Sequence, residues 1–309
     1  MKNKKDLGVI KNSNLWFGVS GALVLASLIF IFLSIIKFSS PVKAGLDFTG
    51  GTKLEYSFAN KDLEGKDLSS ESIQKLLESL GLKNSKVQVA PKEEKTQLII
   101  RTKAISDDPV LDNFNQDLKS KYAEYTVDSI DTVSPVIGPE LFTSGLTALI
   151  VTILGIIVYI STRFQRDYAF AAITALFHDV FIVLGLFAFL GLFFDVEVNS
   201  LFITALLTIF GFSVHDTIVV FDRIRENQKL QNKNFDFNDV AELSISQVFQ
   251  RSLNTSITTL TVLGFLFFFG GLSTKLFVGA MFVGMLVGTY SSLFVASPVL
   301  VLFRTFKKA

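Results

Sequence analysis

Cysteine is absent from the 309 residues, which excludes disulfide staples, zinc–thiolate centres and thiol nucleophiles. Charge is scarce too: 18% of residues are Asp, Glu, Lys or Arg, against roughly 25% in an average soluble domain. The 29 basic and 28 acidic residues leave a net charge of +1, so no electrostatic excess draws the chain to nucleic acid. Walker-type loops and dinucleotide fingerprints are also missing, so no bound nucleotide or cofactor is expected. Trp occurs once while Phe occurs 32 times, and apolar residues make up 50% of the chain. Those are the proportions of a protein that meets lipid.

A bilayer core about 30 Å thick needs about 20 mostly apolar helical residues. Six runs approach that length: residues 15–36, 141–160, 168–192, 199–221, 255–271 and 276–303. Val42-Lys43-Ala44 is a passable signal-cleavage triplet, but a secretory apolar core is only about 7–15 residues, so the first run reads as a retained helix. Orientation follows from basic residues in the short flanks. Lys2, Lys4, Lys5 and Lys11 precede the first span, and Arg163 and Arg166 separate the second from the third. Arg223, Arg225, Lys229, Lys233 and Arg251 lie between the fourth and fifth, and Arg304, Lys307 and Lys308 close the chain. All fall on one side. The N-terminus (1–14), a loop at 222–254 and the C-terminus (304–309) are therefore expected in the cytoplasm.

Residues 37–139 are polar and long enough to form a small domain outside the cytoplasm. Residues 52–58 read as a strand. Ser69 or Ser70 with Glu71 opens a helix that carries Ile73, Leu76, Leu77 and Leu80 until Gly81 ends it. Residues 86–90 and 96–102 alternate as strands, Asp108-Pro109 starts a helix with Val110, Leu111, Phe114 and Leu118, and 125–133 is a last strand. The order βαββαβ is ferredoxin-like. The expected fold is thus an α-helical polytopic membrane protein with one extracytoplasmic α+β domain, followed by a five-helix region over 140–303.

Ionisable groups inside the spans are the strongest chemical signal. His178-Asp179 sits mid-way along the third span and His215-Asp216 toward the cytoplasmic third of the fourth. A buried charge costs at least about 2.5–3.5 kcal/mol, so such residues normally face the bundle interior and mark ion or proton paths, or else a polar network that fixes packing. Adjacent helical residues do not share a face, and no HExxH or third carboxylate accompanies them, so a metal centre is not expected. Arg251 can snorkel to the interface or turn toward Asp216; a reversible pair would make protonation of Asp216 a switch. Small residues recur at fourfold spacing, Gly18, Ala22 and Ala26 in the first span and Ala280, Gly284, Gly288, Ser292 and Ala296 in the sixth, so backbones can pack closely. Asn254, Thr255, Ser256, Thr258, Thr259 and Thr261 in the fifth can hydrogen-bond across helices or line a wet path.

Three motifs together are specific. Gly45-Leu46-Asp47-Phe48-Thr49-Gly50-Gly51-Thr52, Phe177-His178-Asp179-Val180 and the stretch from Asp216 through Phe221-Asp222-Arg223 to Asn227 resemble, in this order, the SecD/SecF family of bacterial protein-export membrane proteins, on its SecF side. The likeness spans nearly the whole chain, including 133–139, 251–260 and 283–292; His215 departs from the Asn expected there in many relatives. The resemblance implies a bacterial inner-membrane protein paired with SecD, similar to resistance-nodulation-division transporters and associated with the SecYEG channel. It would help draw preproteins across the membrane with proton-motive force, protons being the coupling ion. It places Asp216 and Arg251 at positions tied to proton passage, with His178, Asp179 and His215 as possible supporting groups. Asp47, Gly50 and Gly51 form either a hinge or a tight turn into the first strand. Two rival readings are a small-molecule efflux transporter half and a structural scaffold of the translocon.

Overall fold

The structure, a computed structural model, describes residues 7–63, 68–83, 85–91, 94–105, 108–122, 124–134, 136–230, 236–271 and 274–308. Two compact units result, one of residues 44–144 and one of residues 1–43 with 145–309.

In the first unit a short helix α2 (Leu46–Thr49) leads into β1 (Gly51–Ala59), followed by α3 (Ser70–Ser79), β2 (Lys86–Pro91), β3 (Lys95–Thr102), α4 (Asp108–Tyr122) and β4 (Tyr125–Val133), α1 being the first membrane helix described below. The strands form one antiparallel sheet in the order β2-β3-β1-β4, the arrangement expected of βαββαβ. Alternation along β1 and β3 sends Leu54, Tyr56, Phe58, Leu98 and Ile100 to one face, where they meet Ile73 and Leu77 of α3 and Phe114 and Leu118 of α4. Each such side chain contributes about 1.5–3 kcal/mol on burial. Helix α3 begins where the Ser69 hydroxyl accepts from the Ser72 amide at 3.3 Å. It stops in a Schellman turn, Gly81 (φ 82°) and Leu82 bonding back to Glu78 and Leu77. Burial, and next the neighbouring Tyr125, push the Tyr56 phenol well above its usual range. It donates to Asn115 Oδ1 at 2.9 Å.

The motif at Asp47, Gly50 and Gly51 is the turn from α2 into β1. Gly50 (φ 67°) caps α2, and at Gly51 (φ 122°) a Cβ would lie 2.5 Å from the Thr102 carbonyl oxygen. Conformation and close backbone approach both require glycine at Gly51.

The second unit holds the helices long and apolar enough to cross a membrane: α1 (Ser13–Phe38), α5 (Ile137–Arg163), most of which belongs here, α6 (Arg166–Phe193), α7 (Ser200–Leu230), α8 (Phe237–Phe269), and α9 (Lys275–Ser291) continuing through a π turn (Ser292–Ala296) into α10 (Ser297–Lys308). Helices α6, α7 and α9 are the most enclosed, while α1, α5 and α8 present mostly exposed apolar faces. The π turn has a local cause: Pro298 lacks an amide and its ring crowds the carbonyl four residues back, so the ladder re-registers just upstream.

Residues 222–254, expected as a loop, are largely helical: α7 continues to Leu230 and α8 starts at Phe237. Hydropathy falls where charges begin, but the helices do not end. Arg223–Glu226 (2.6 Å) and Arg225–Asp222 (3.5 Å) pair along α7, and Asn227 donates to Ser244 (2.8 Å) and Gln247 (2.9 Å) of α8.

Of the two small-residue stripes, the one in α9 packs inward. A Cβ at Gly284 would fall 2.2 Å from Ile209 Cδ1 of α7, and Ala280 is fully buried. The α1 stripe does not: Gly18 and Ala22 are exposed, and α1 instead buries Ser20, Ser27 and Ser34, with Gly185 of α6 against Ser27. Serine every seventh residue makes as narrow a ridge as the glycine–alanine series, so residue size did not distinguish the faces.

Candidate functional site

The interior of the helical unit brings two carboxylates into one hydroxyl-rich layer. Asp216, on α7, is 8% exposed. Its Oδ1 accepts from Ser252 of α8 and its Oδ2 from Ser292 at the start of the π turn, both at 2.5 Å. Asp179, on α6, is fully buried. Its Oδ2 accepts from Ser213 of α7 at 2.6 Å and from Ser291 of α9 at 2.7 Å, and its Oδ1 lies 2.9 Å from His178 Nδ1. Nearby, Ser256 of α8 and Thr289 of α9 share a hydrogen bond of 2.6 Å.

Close helix approach makes these contacts possible. At Gly288 a Cβ would lie 3.2 Å from Ser213 Cβ and 3.7 Å from Asp179 Oδ2, so any larger residue would press on the layer. The Ala280-Gly284-Gly288 stripe thus seats α9 on α7.

The chemistry of the cage is distinctive. A guanidinium or ammonium only donates, which locks a carboxylate in its ionised form; a serine hydroxyl both donates and accepts. Among the described residues no Lys or Arg pairs with Asp179 or Asp216. Asp216 can therefore be held charged, accepting two O–H bonds, or neutral, giving its own proton to one of the same oxygens. Neither state strands a buried polar atom, which would cost about 1–3 kcal/mol.

The residues singled out from sequence divide accordingly. Asp216, Asp179 and His178 come together in the bundle interior. His215 does not: it is exposed, because adjacent helical residues point to different faces, and its neighbour occupies the inward one. Arg251 is exposed on α8 and forms no ion pair with Asp216; the next residue, Ser252, holds the carboxylate instead. Of the fifth-span residues from Asn254 to Thr261 named above, Ser256 is the one that bonds across helices among the described residues. Thr255, Thr258, Thr259 and Thr261 donate to carbonyls of their own helix, and Arg251, Asn254, Thr255, Thr258 and Thr261 form an exposed polar strip. Sequence reading missed Ser213, Ser252 and Ser291 as cage residues. Their one local signal is spacing, Ser213 standing three residues before Asp216 on the same helical face.

His178 Nε2 is buried without a hydrogen-bond partner among the described residues. Its ring lies 6.1 Å from that of Tyr290, whose hydroxyl meets Ser20 of α1 at 2.9 Å.

Comparison with known proteins places the chain in a family. Residues 113–306 match the family model described as protein export membrane protein SecD/SecF, C-terminal. The chain is 42% identical over 284 residues to the protein translocase subunit SecF of Synechocystis sp., covering 90% of this chain and 88% of that one. It is 35% identical over 287 residues to the protein translocase subunit SecDF of Bacillus subtilis, covering 92% of this chain and 36% of that longer one. The crystal structure of SecDF from Thermus thermophilus, described as a translocon-associated membrane protein, superposes with a TM-score of 0.79 at 31% identity. That match covers 97% of this chain, which spans only 39% of the SecDF chain. With its motifs, its helices and its similarity over nearly full length in agreement, the chain belongs to the SecF branch of the SecD/SecF family of protein-export membrane proteins.

Proposed function

We propose that the chain is an auxiliary subunit of the Sec preprotein translocase that works with SecD, without a nucleotide site of its own, and uses proton-motive force to promote preprotein movement. The observation that carries this reading is the Asp216 cage: a carboxylate 8% exposed inside an apolar helix, satisfied by hydroxyls that suit either protonation state. One proton crossing 100 mV releases about 2.3 kcal/mol, enough to bias two helix packings that differ by a similar amount.

In this reading Asp216 takes a proton from one aqueous side and releases it to the other, while Arg251 is the alternative partner of the ionised form. Arg251 directly precedes Ser252, so a roll of α8 exchanges a hydroxyl for a guanidinium at Asp216. The exchange would drive movement of the α+β unit. The exposed polar strip of α8 supports a membrane-embedded partner, since polar groups facing lipid are costly and normally meet other helices. SecD fits, because relatives of this chain occur as the SecDF proteins above. The flanking basic residues support cytoplasmic termini and an α+β unit on the far face of a bacterial inner membrane, with SecYEG and the preprotein as further partners.

Asp216→Asn is expected to abolish the proton-driven component of export from energised vesicles while the chain still co-purifies with SecD. Full export by that variant removes Asp216 from the mechanism. Retained export after Asp216 and Arg251 are both neutralised favours a scaffold, and drug accumulation in a deletion strain favours an efflux role.

A further inference from the structure

Asp216 has a buried counterpart, and the two are tied through consecutive residues. Ser291 Oγ donates to Asp179 and Ser292 Oγ donates to Asp216, at 2.7 and 2.5 Å. Successive helical side chains point about 100° apart, so α6 and α7 each bring one carboxylate to a different side of the same backbone step. That step is the junction of α9 with the π turn.

Each of these hydroxyls carries one hydrogen and has two acceptors in reach. For Ser291 they are Asp179 Oδ2 and the Gly288 carbonyl at 3.2 Å; for Ser292, Asp216 Oδ2 and the Thr289 carbonyl at 3.0 Å. An ionised carboxylate wins the hydrogen, since charge-assisted bonds are roughly twice as strong as neutral ones. A protonated carboxyl instead donates to the serine oxygen, and the serine hydrogen turns to its own helix. The protonation state of either acid thus sets the hydrogen bonding of adjacent residues at a π turn, where helices re-register readily.

The groups around Asp179 leave protonation as its means of neutralisation. Its own helix supplies His178, which is 6% exposed and whose buried Nε2 has no partner among the described residues. From α7 come Ser213 and, one step away through the serines, Asp216; His215 is exposed. Helix α9 supplies Ser291 and the Tyr290 ring, α1 presents the uncharged Ser20, Ser27 and Ser34, the π turn carries no titratable residue, and Arg304 of α10 is engaged with Asp167 in the first turn of α6. Helix α8 carries Arg251, exposed, and reaches Asp216 through Ser252.

We infer that His178-Asp179 is a second protonatable centre, coupled to Asp216 through the Ser291–Ser292 step of the sixth span. Binding adds one proton from water at Asp179 and cancels one negative charge. Nothing else is consumed. The inference rests on the reading that Asp216 titrates, and its test keeps the two apart.

The test is infrared titration of the full-length chain in lipid nanodiscs, with isotope-labelled aspartate, following the protonated-carboxyl stretch. Wild type should show two buried-carboxyl steps. Asp179→Asn should remove one and displace the midpoint of the other by about 1 pH unit, and Asp216→Asn should do the reverse, as interacting sites require. Ser291→Ala should keep both steps while shrinking the displacement that Asp179→Asn causes to less than half. Asp179→Glu keeps the test open if the Asn variant does not fold, since it should restore a second step at a new midpoint. If Asp216 titrates while Asp179 keeps one form at every pH, the inference is overturned and the proposed function stands. If Asp216 never titrates, both fall. Two steps whose midpoints ignore one another's removal also overturn it.

Discussion

Replacing Gly185 by alanine should undock α1 from α6. A Cβ built at Gly185 lies 2.2 Å from Ser27 Cβ and 2.4 Å from Ser27 Cα, where carbon atoms rest at about 3.5–4.0 Å. Neither Ser27 atom can rotate away, so the helices must part by more than an ångström. Overpacking costs about 1–3 kcal/mol, and the higher helix propensity of alanine returns about 1 kcal/mol, leaving a net loss of about 1–2 kcal/mol when the cost lies at the upper end. Gly18→Ala is the control: nothing lies within 4 Å of its Cβ, so only the propensity gain applies. The single tryptophan reports on the seating of α1, because Trp16 packs on Phe294 of the π turn with ring centroids 4.4 Å apart. Thermal melts in mild detergent, followed by Trp16 emission, should show Gly185→Ala unfolding earlier by about 2–4 °C per kcal/mol, with a red shift below the melt. A variant that melts with wild type and keeps its emission maximum would refute the α1–α6 contact.

Gly284→Ala should likewise cost about 1–3 kcal/mol, because its Cβ meets Ile209 Cδ1 at 2.2 Å and Cγ1 at 2.4 Å. Ile209→Ala removes those atoms, so the double variant should be more stable than the sum of the single losses by at least about 0.5 kcal/mol in a melt-based cycle; additivity would deny the contact. In the α+β unit, the Tyr56 phenol is raised by burial, so its contribution to stability is complete below the unfolded value near pH 10 and is lost as pH rises past it. Phenolate absorbance, wild type minus Tyr56→Phe, should stay flat through pH 10 and rise only with unfolding; a midpoint near 10 contradicts the buried site. The same variant should cost about 1 kcal/mol at neutral pH by leaving Asn115 without its donor, measured by denaturant unfolding.

Much of the architecture is local and could be read along the chain. Apolar length marked the six spans, and period-two and period-3.6 patterns with Ser69 and Gly81 at the ends of α3 gave the βαββαβ order. Boundaries failed where a helix outlives its lipid-facing part, as α7 and α8 do beyond the charged residues. The acids themselves were visible too, because ionisable residues stand out in apolar runs.

Their partners were not. Ser213 and Ser291 reach Asp179 across 34 and 112 residues, and Ser252 and Ser292 reach Asp216 across 36 and 76. Serine is unremarkable in a membrane helix, where it commonly bonds to its own backbone, so nothing in the order of residues separates a cage serine from a spacer. The same holds for His215 turning outward beside Asp216, for Ser252 standing where Arg251 was expected, and for α1 burying serines rather than its glycine stripe. Each depends on the roll of one helix against another. Covalent order states which side chains a helix carries and how far it can reach through lipid, but the rotation that aims them comes from close packing at Gly185, Gly284 and Gly288, where helices meet at the width of a hydrogen atom.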